Sequence, residues 1–267
     1  MDHPYVEQAA TDASRWFESL SAAEAPLLRL FCFPYAGGDA QVFRGWQRHF
    51  APEVDVCLAH LPGRGRRLGA PRFTRLQQLV EVMADVIGPK AKAPFAFYGH
   101  SMGALISFEL ARELRRRNAG SPLHLFLSGS QAPGMRKIGR RMFDLPEEEF
   151  IAELHKLNGT PMELFDDPEI KDLFIPLLRA DFEMVDTYEC SPEPPLACPF
   201  TIYGGSQDER APVDCLNHWK MHTTAQCKVQ ILPGDHFFIQ KQSAQFINVL
   251  RRDLLGALPE KTEEQSR

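Results

Sequence analysis

The sequence predicts an α/β fold in which a mostly parallel sheet carries helices on both faces. Two observations lead to this prediction: short apolar runs recur along the chain, and stretches of helical periodicity fill most of the gaps between them. Strands that are covered on both faces are apolar throughout rather than alternating. A chain in which such strands alternate with helices is expected to form a doubly wound parallel sheet.

Six apolar runs are the predicted strands. In chain order they span residues 27–33, 54–60, 95–98, 123–128, 200–203 and 228–232. The clearest helical pattern lies between the second and third runs, where apolar residues recur at three- and four-residue spacing: Leu76, Leu79, Val80, Met83 and Ile87. This spacing places them on one face of a helix that can cover the sheet.

The composition is that of an ordinary soluble globular protein. Of the 267 residues, 44% are hydrophobic and 24% are charged, which permits one large domain with a sizeable core. The formal net charge is −5. Since no excess of basic residues is present, we expect the protein to bind neither nucleic acid nor an anionic membrane, and we expect a monomer.

Cysteine usage and the ends of the chain predict a cytoplasmic protein. The six cysteines form no C-x-x-C pair and several lie in apolar runs, which is typical of reduced, buried thiols. The N-terminus has early acidic residues and no apolar core of a signal peptide. We expect residues 1–26 to form a loose leader and residues 259–267 to fray.

One interval lacks a convincing strand. Between residues 131 and 198 the sequence shows two helix starts instead: Asp144 with Glu147 as a reciprocal cap, and Asp167 followed by Pro168. Two further core helices would explain these signals. A helical lid above the carboxyl edge of the sheet fits better, because a long strand-free stretch interrupts the alternation. We therefore expect one domain, residues 1–267, with a core of 27–130 and 199–257 and a lid of 131–198.

The segment Gly99-His-Ser-Met-Gly103 predicts a nucleophile elbow. A G-x-S-x-G match alone is weak, but here a predicted strand precedes it and a helical pattern, residues 104–117, follows. Strand, sharp turn and helix are the elements that expose such a serine above the sheet of an α/β-hydrolase. The sequence therefore predicts that fold, with Ser101 as nucleophile.

The chain order of this fold requires an acid and then a histidine after the serine. His236 directly follows the last predicted strand, so we predict it to be the general base. Asp208 follows the preceding strand and is the predicted orienting acid. Asp235 adjoins the histidine and cannot easily turn back onto its ring, whereas Asp214 is expected to lie in the next helix.

A tetrahedral intermediate needs two backbone N–H donors. The N–H of Met102, the residue after the nucleophile, is one predicted donor. The second is expected from the loop of residues 33–38, where Gly37 and Gly38 would let the backbone approach the substrate. The segment Gly63-Arg-Gly-Arg-Arg67 is interpreted as a charged turn, with contact to a phosphate-bearing substrate arm as the alternative.

Five motifs resemble the type II thioesterases that accompany polyketide and nonribosomal peptide synthetases, and the related medium-chain fatty-acyl thioesterases. They are Phe33-Pro-Tyr-Ala-Gly-Gly38, Leu61-Pro-Gly-Arg-Gly65, Tyr98-Gly-His-Ser-Met-Gly103, Pro122-Leu-His-Leu-Phe126 and Leu232-Pro-Gly-Asp-His-Phe237. The resemblance spans about residues 27–250. It implies that Ala36 provides the second oxyanion donor and that a helical lid lies between the fourth and fifth predicted strands.

The resemblance also implies an activity: hydrolysis of acyl groups from the phosphopantetheine thiol of acyl or peptidyl carrier proteins, which clears stalled or misprimed synthetases. A medium-chain acyl thioesterase, a product-releasing thioesterase and a small-molecule esterase are the alternatives within the fold. A catalytically silent carrier-binding module is the alternative from another class.

The reaction requires neither a metal nor an organic cofactor. His218 and His222 have the i, i+4 spacing of metal ligands, but Trp219 stands where a zinc peptidase carries glutamate. We interpret the two histidines as residues on a helix surface.

Overall fold

Seven strands form a single sheet in the computed structural model, which describes residues 13–21, 26–50, 52–88, 93–135, 141–157, 159, 165–241 and 243–258. The strands are β1 Phe17–Ser19, β2 Leu28–Phe33, β3 Val54–Ala59, β4 Phe95–His100, β5 Leu125–Ser128, β6 Phe200–Gly205 and β7 Cys227–Leu232. Their order across the sheet is β1-β3-β2-β4-β5-β6-β7, and only the β1–β3 pair among them is antiparallel. The predicted mostly parallel sheet is confirmed.

The helices occupy the intervals between strands. Their bounds are α1 Ala13–Trp16, α2 Gln47–Phe50, α3 Leu76–Ile87, α4 Met102–Arg116, α5 Glu147–Leu157, α6 Pro168–Asp186, α7 Val213–Leu216, α8 Phe238–Lys241 and α9 Ser243–Gly256. Short 3₁₀ turns span Ala40–Phe43, Gly65–Arg67 and Asn217–His222.

Two apolar cores cover the two faces of the sheet. One contains the inward faces of α3 and α4, and the other contains those of α2 and α9. β2–β6 are buried along nearly their whole length, which explains their continuously apolar sequences. The predicted placement of helices on both faces is confirmed.

The expectation of a loose leader is wrong for residues 13–21. These residues form α1 and β1, and β1 pairs with β3 through Phe17↔Ala59 and Ser19↔Cys57. Trp16 and Phe17 are 2% and 5% exposed, so their burial holds this short edge strand in place. A strand of three residues is too short to show periodicity, so no sequence pattern indicated β1. Residues 1–12, 22–25 and 259–267 lie outside the described residues.

The sheet has a topological switch point between β2 and β4. From β2 the chain passes to β3 on one side and then returns to β4 on the other. Loops that leave the carboxyl ends of β2 and β4 therefore diverge and leave a crevice between them, where ligands bind in open α/β sheets. The segment 33–38 and the predicted elbow both lie at this crevice.

The interval between β5 and β6 contains α5 and α6. A third apolar cluster joins the two helices, with Phe150 and Leu154 from α5 and Ile175, Leu178 and Phe182 from α6. This cluster is separate from the two cores on the sheet faces.

The two caps predicted for this interval have different outcomes. Asp167 caps α6 as expected, because its Oδ1 accepts the N–H groups of Glu169 and Ile170 at 2.9 and 3.3 Å. The cap predicted at Asp144 is wrong. Helix α5 begins only at Glu147, and the Pro146 carbonyl accepts its first backbone hydrogen bond.

Two observations concern membrane-spanning helices and the cysteine side chains. Among the described residues, no helix is both long and apolar enough to cross a membrane. All six cysteines carry free thiols; three of them are buried (Cys32, Cys57 and Cys198) and three are half-buried (Cys190, Cys215 and Cys227).

Candidate active site

Ser101 lies at a strained turn between β4 and α4. Its backbone has φ 54° and ψ −111°, a conformation that residues with a side chain rarely adopt. The Ser101 N–H donates to the Ser128 carbonyl at 2.7 Å, which ties the turn to the neighbouring strand β5. The turn leaves Ser101 half-buried at the carboxyl edge of the sheet, as a nucleophile elbow requires.

Two glycines make the elbow possible by removing side chains from close backbone contacts. A Cβ on Gly99 would lie 2.0 Å from the Gly103 carbonyl oxygen. A Cβ on Gly103 would lie 2.0 Å from the Phe33 carbonyl oxygen. The start of α4 therefore packs directly on the end of β2, and this contact brings the loop after β2 beside Ser101.

The side chains of Ser101, His236 and Asp208 form a hydrogen-bonded series. His236 Nε2 is 3.0 Å from Ser101 Oγ, and His236 Nδ1 is 2.9 Å from Asp208 Oδ2. Asp208 and His236 are 5% and 8% exposed. The structure thus brings together the three residues that the sequence order singled out, although they lie up to 135 positions apart.

Backbone contacts between two loops place the acid and the histidine. The loop after β6 turns so that Asp208 N–H bonds to the Gly205 carbonyl, and Gln207 N–H bonds to the Gly234 carbonyl of the loop after β7. Gly234 has φ 123°, which only glycine adopts readily. The two loops therefore support each other and hold the carboxylate against the imidazole.

The Asp208 carboxylate is stabilised in its charged form. Burial raises its pKa, but the hydrogen bond to His236, the charge of that ring and the N–H groups of Ala211 and Arg210 outweigh burial and lower the pKa overall. Both N–H groups donate to Oδ1, at 3.1 and 2.9 Å, and Oδ2 faces the histidine. Each carboxylate oxygen thus has its own partner.

The alternative acids have other positions. Asp235 accepts the Phe237 N–H at 3.0 Å, so its carboxylate caps the turn that leads into α8. Asp214 lies in α7, as the sequence predicted.

Ala36 and Met102 lie where the two oxyanion donors are expected. Both N–H groups have no protein acceptor within the part of the chain that the structure describes. Met102 is the first residue of α4, where backbone N–H groups are free of intrahelical bonds. Ala36 lines a cavity beside Ser101.

This cavity has a volume of about 40 Å³ and is mostly apolar. Its walls come from the loop after β2, from the loop after β7 and from both helices of the 131–198 interval. Members from those helices are Leu154, Leu157, Leu178, Phe182 and Val185. Gly159 also lines the cavity and lies against the Phe237 ring, because a Cβ on it would be 2.0 Å from Phe237 Cζ.

Three other described histidines, His100, His218 and His222, have separate partners. His100 is fully buried, with Nδ1 2.9 Å from Ser128 Oγ, and burial lowers its pKa well below the usual range. His218 and His222 bond to the separate carbonyls of Asp214 and Pro133. His222 is half-buried, so its interpretation as a helix-surface residue is wrong. Among the described residues no group of three or more metal-ligating side chains is found.

The Gly63–Arg67 segment is a charged turn, as predicted: the Gly63 N–H donates to the Arg67 carbonyl at 2.9 Å, and a 3₁₀ turn spans Gly65–Arg67. Arg64 is buried and pairs with Asp181. Arg66 pairs with Glu18 at 2.7 Å, and the Arg67 guanidinium lies 3.7 Å from the centre of the Trp16 ring. All three arginines have partners within the chain, although Arg66 itself is exposed. The alternative of a phosphate contact stays a prediction.

Sequence reasoning missed two residues near Ser101. Tyr35 packs its ring edge-on against Phe237, with 5.1 Å between centroids, and its hydroxyl contacts Gln240. Burial raises the pKa of Tyr35. Asp181 of α6 was missed as well, although its spacing of four and three residues from Leu177 and Leu178 places it on the apolar face of the helix.

The family model "Thioesterase domain" matches residues 28–254. The chain belongs to this family. The match covers every strand except β1, and it includes all three residues of the Ser101–His236–Asp208 series.

Individual relatives agree with this membership. The gramicidin S biosynthesis protein GrsT of Aneurinibacillus migulanus is 41% identical over 244 residues, covering 91% of this chain and 95% of GrsT. A Brevibacillus parabrevis protein named linear gramicidin dehydrogenase LgrE is 40% identical over 257 residues, covering 95% and 97%. The solved type II thioesterase BorB of the borrelidin biosynthetic cluster superposes with a TM-score of 0.81 at 29% identity, covering 90% and 97%. The expected resemblance to type II thioesterases and the α/β-hydrolase fold are confirmed.

Proposed function

We propose that the protein is a serine thioesterase that hydrolyses acyl groups from the phosphopantetheine thiol of carrier proteins and so clears stalled or misprimed synthetases. The hydrogen-bonded series from Asp208 through His236 to Ser101, located at the elbow, is the observation that carries the proposal. Ser101 is the nucleophile, His236 the general base and Asp208 the orienting acid. We also propose that the enzyme acts as a monomer in the cytoplasm.

Acylation begins with attack of Ser101 Oγ on the thioester carbonyl carbon. His236 Nε2 accepts the hydroxyl proton, and Asp208 holds the opposite ring nitrogen protonated, so that the lone pair of Nε2 faces the serine. The carbonyl oxygen becomes an oxyanion that the N–H groups of Ala36 and Met102 stabilise. Collapse of this intermediate breaks the C–S bond, and the imidazolium returns the proton to the departing thiolate.

Deacylation repeats these steps with water as the nucleophile. His236 takes a proton from water, the resulting hydroxide attacks the acyl-serine carbonyl, and the same two N–H groups bind the second oxyanion. Ser101 leaves with a proton from His236, and the free acid is released. Acylation and deacylation both use the side chains of Ser101, His236 and Asp208, and no step requires a cofactor.

We propose that residues 131–198 form a lid on a core of residues 27–130 and 199–257. Its helices α5 and α6 have an apolar cluster of their own and line the cavity beside Ser101. These side chains lie beside Ser101 and are therefore placed to contact the acyl group of a bound substrate.

Similarity to GrsT and to the type II thioesterase BorB favours an editing role on short acyl groups over the medium-chain alternative. The same serine-histidine-aspartate geometry favours a hydrolase over a silent binding module and over the redox activity that the name of LgrE indicates for that relative. A plain esterase is disfavoured because its oxyanion loop more often carries an H-G-G-G motif, whereas this chain has Phe-Pro-Tyr-Ala-Gly-Gly at residues 33–38.

The nucleophile is tested with Ser101→Ala, which should lower kcat by up to about 10⁶-fold while leaving the fold intact. The assay is thiol release from acyl-loaded carrier protein. Labelling by a fluorophosphonate should disappear in parallel. Ser206→Ala is the matched control, since Ser206 lies on the loop after β6 and is exposed. More than a few per cent of residual turnover in Ser101→Ala would contradict the assignment.

The substrate class is tested with carrier proteins that carry acetyl, propionyl, butyryl, octanoyl and dodecanoyl groups. We expect kcat/KM to be highest for the short groups and higher on a carrier protein than on a free pantetheine thioester. Oxoesters of the same acids should react more slowly. A maximum at octanoyl or dodecanoyl would instead identify a medium-chain thioesterase.

A further inference from the structure

A buried ion pair joins α6 to the loop that follows β2. Arg64 and Asp181 contact each other through two parallel hydrogen bonds, Nη1 to Oδ2 and Nη2 to Oδ1, each 2.6 Å long. The two side chains are 5% and 1% exposed. Such a bidentate arrangement fixes orientation as well as distance, because both groups are planar.

The same pair binds the backbone of two consecutive loop residues. Asp181 Oδ2 accepts the Gly37 N–H at 2.7 Å, and Arg64 Nη1 donates to the Gly38 carbonyl at 3.1 Å. A further bond from Gly38 N–H to the Tyr35 carbonyl closes a turn over residues 35–38. Ala36 lies inside this turn, so the ion pair holds the peptide groups that follow it.

The turn also rests on α6 by direct packing. Gly37 has φ +79°, and a Cβ there would lie 2.5 Å from Leu178 Cδ2. Leu178 precedes Asp181 by one helical turn, so the apolar contact and the hydrogen bond act on the same residue from the same helix. Glycine is therefore required at position 37 by the contact with α6, in addition to any close approach of substrate.

We propose that Arg64 and Asp181 are positioning residues for the oxyanion site, a role that rests on the proposed thioesterase function. Asp181 accepts a hydrogen bond from the Gly37 N–H, and Arg64 donates one to the Gly38 carbonyl. These two bonds orient the neighbouring Ala36 N–H toward the cavity that Ser101 lines. An oxyanion donor works only when it is held close to its productive geometry. Because Asp181 belongs to α6, the Ala36 N–H is aligned only when α6 packs on the loop of residues 35–38.

Two neutral double variants test the proposal. Arg64→Met with Asp181→Asn and Arg64→Met with Asp181→Leu both remove the two charges, so neither leaves an unpaired charge buried. The asparagine keeps an oxygen that can accept the Gly37 N–H, whereas leucine cannot. We expect similar thermal midpoints for the two variants. With a short-chain thioester, kcat of the leucine variant should be about 10- to 100-fold below that of the asparagine variant, with KM nearly unchanged.

An inhibitor that forms a tetrahedral adduct provides a readout that a purely structural role would not change. An alkyl trifluoromethyl ketone is attacked by Ser101 Oγ, with the proton passing to His236 and the oxyanion entering the same site. The leucine variant should bind this ketone more weakly than the asparagine variant does, by the same factor by which its kcat/KM is lower. Both quantities report stabilisation of the oxyanion.

Glu183→Gln is the matched control. This substitution removes the ion pair between Glu183 of α6 and Arg75, which does not touch the loop of residues 35–38. Both kcat and the affinity for the inhibitor should stay at the wild-type level. Equal kcat in the two double variants, kcat that only follows the folded fraction, or failure of both variants to fold would overturn the proposal. Ser101→Ala is measured alongside, since its turnover tests the proposed function separately.

Discussion

Replacement of Asp208 by asparagine should abolish most activity without unfolding the protein. Oδ1 of Asp208 accepts two backbone N–H groups, from Arg210 and Ala211, while Oδ2 faces His236 Nδ1. The amide oxygen of asparagine must take the first position, because only an acceptor satisfies two donors. Its NH₂ group then faces Nδ1, which must become an acceptor. The remaining ring proton moves to Nε2, where it points at Ser101 and prevents proton uptake.

The magnitude follows from the cost of the opposite amide orientation. Turning the amide would leave two backbone N–H groups facing the NH₂, at about 1–3 kcal/mol for each buried group without a partner. Loss of the carboxylate that stabilises the imidazolium adds to this cost. A total of about 5 kcal/mol corresponds to a decrease in kcat of roughly 10⁴-fold, the size found when a triad aspartate is replaced by asparagine.

The assay is release of free thiol from a short-chain acyl pantetheine thioester, with circular dichroism and thermal unfolding to verify the fold. Asp235→Asn is the matched control: it neutralises the neighbouring carboxylate, whose Oδ1 accepts the Phe237 N–H, and an amide oxygen can accept the same bond. Its kcat should remain close to the wild-type value. If Asp208→Asn keeps more than about a tenth of wild-type kcat, the tautomer argument fails.

Three further outcomes are expected. Burial raises the pKa of Asp253, but bonds from Gln230, Tyr203, Lys228 and Arg252 lower it overall, so its stabilisation is present above about pH 4 and is lost as the pH falls below that. Asp253→Asn should therefore lower the thermal midpoint more at pH 7 than at pH 3; an equal decrease at both would contradict the linkage. Phe182→Ala, which enlarges the cavity beside Ser101, should raise kcat/KM for octanoyl relative to acetyl thioesters by about tenfold, since a few methylenes at ~0.8 kcal/mol each gain space. The exposed Leu173→Ala serves as control. Backbone amides of α5 and α6 should exchange with deuterium faster than those of residues 95–128; equally slow exchange would mean that the interval is ordinary core.

The elements that local sequence determines were predictable. The elbow at Ser101 depends on a strand, two glycines and a helix that are adjacent in the chain, and the structure has all of them. The cap at Asp167 is equally local, because proline at the next position and the N–H groups two and three residues on decide it. The cap at Asp144 failed because Pro146 can begin a helix as well, and tertiary packing selected the later start.

Elements decided by distant partners were not predictable. β1 exists because three residues find an exposed edge of β3 and because Trp16 and Phe17 find a place in the core. Arg64 read as part of a charged turn, since nothing near it in the chain could neutralise it. Its partner Asp181 is 117 positions away, on another helix.

By itself, the sequence determined the α/β fold, the order of serine, aspartate and histidine, and the edge of the sheet where they meet. These follow from periodicity and from the direction of parallel strands, and both are properties of short segments. Only the tertiary structure decided which oxygen of Asp208 faces His236, which helices line the cavity beside Ser101, and that an Arg64–Asp181 pair holds the Gly37 backbone. These depend on contacts between segments that are distant in the chain, 28 positions apart for Asp208 and His236 and 117 for Arg64 and Asp181. Such contacts are set when the whole core packs at once.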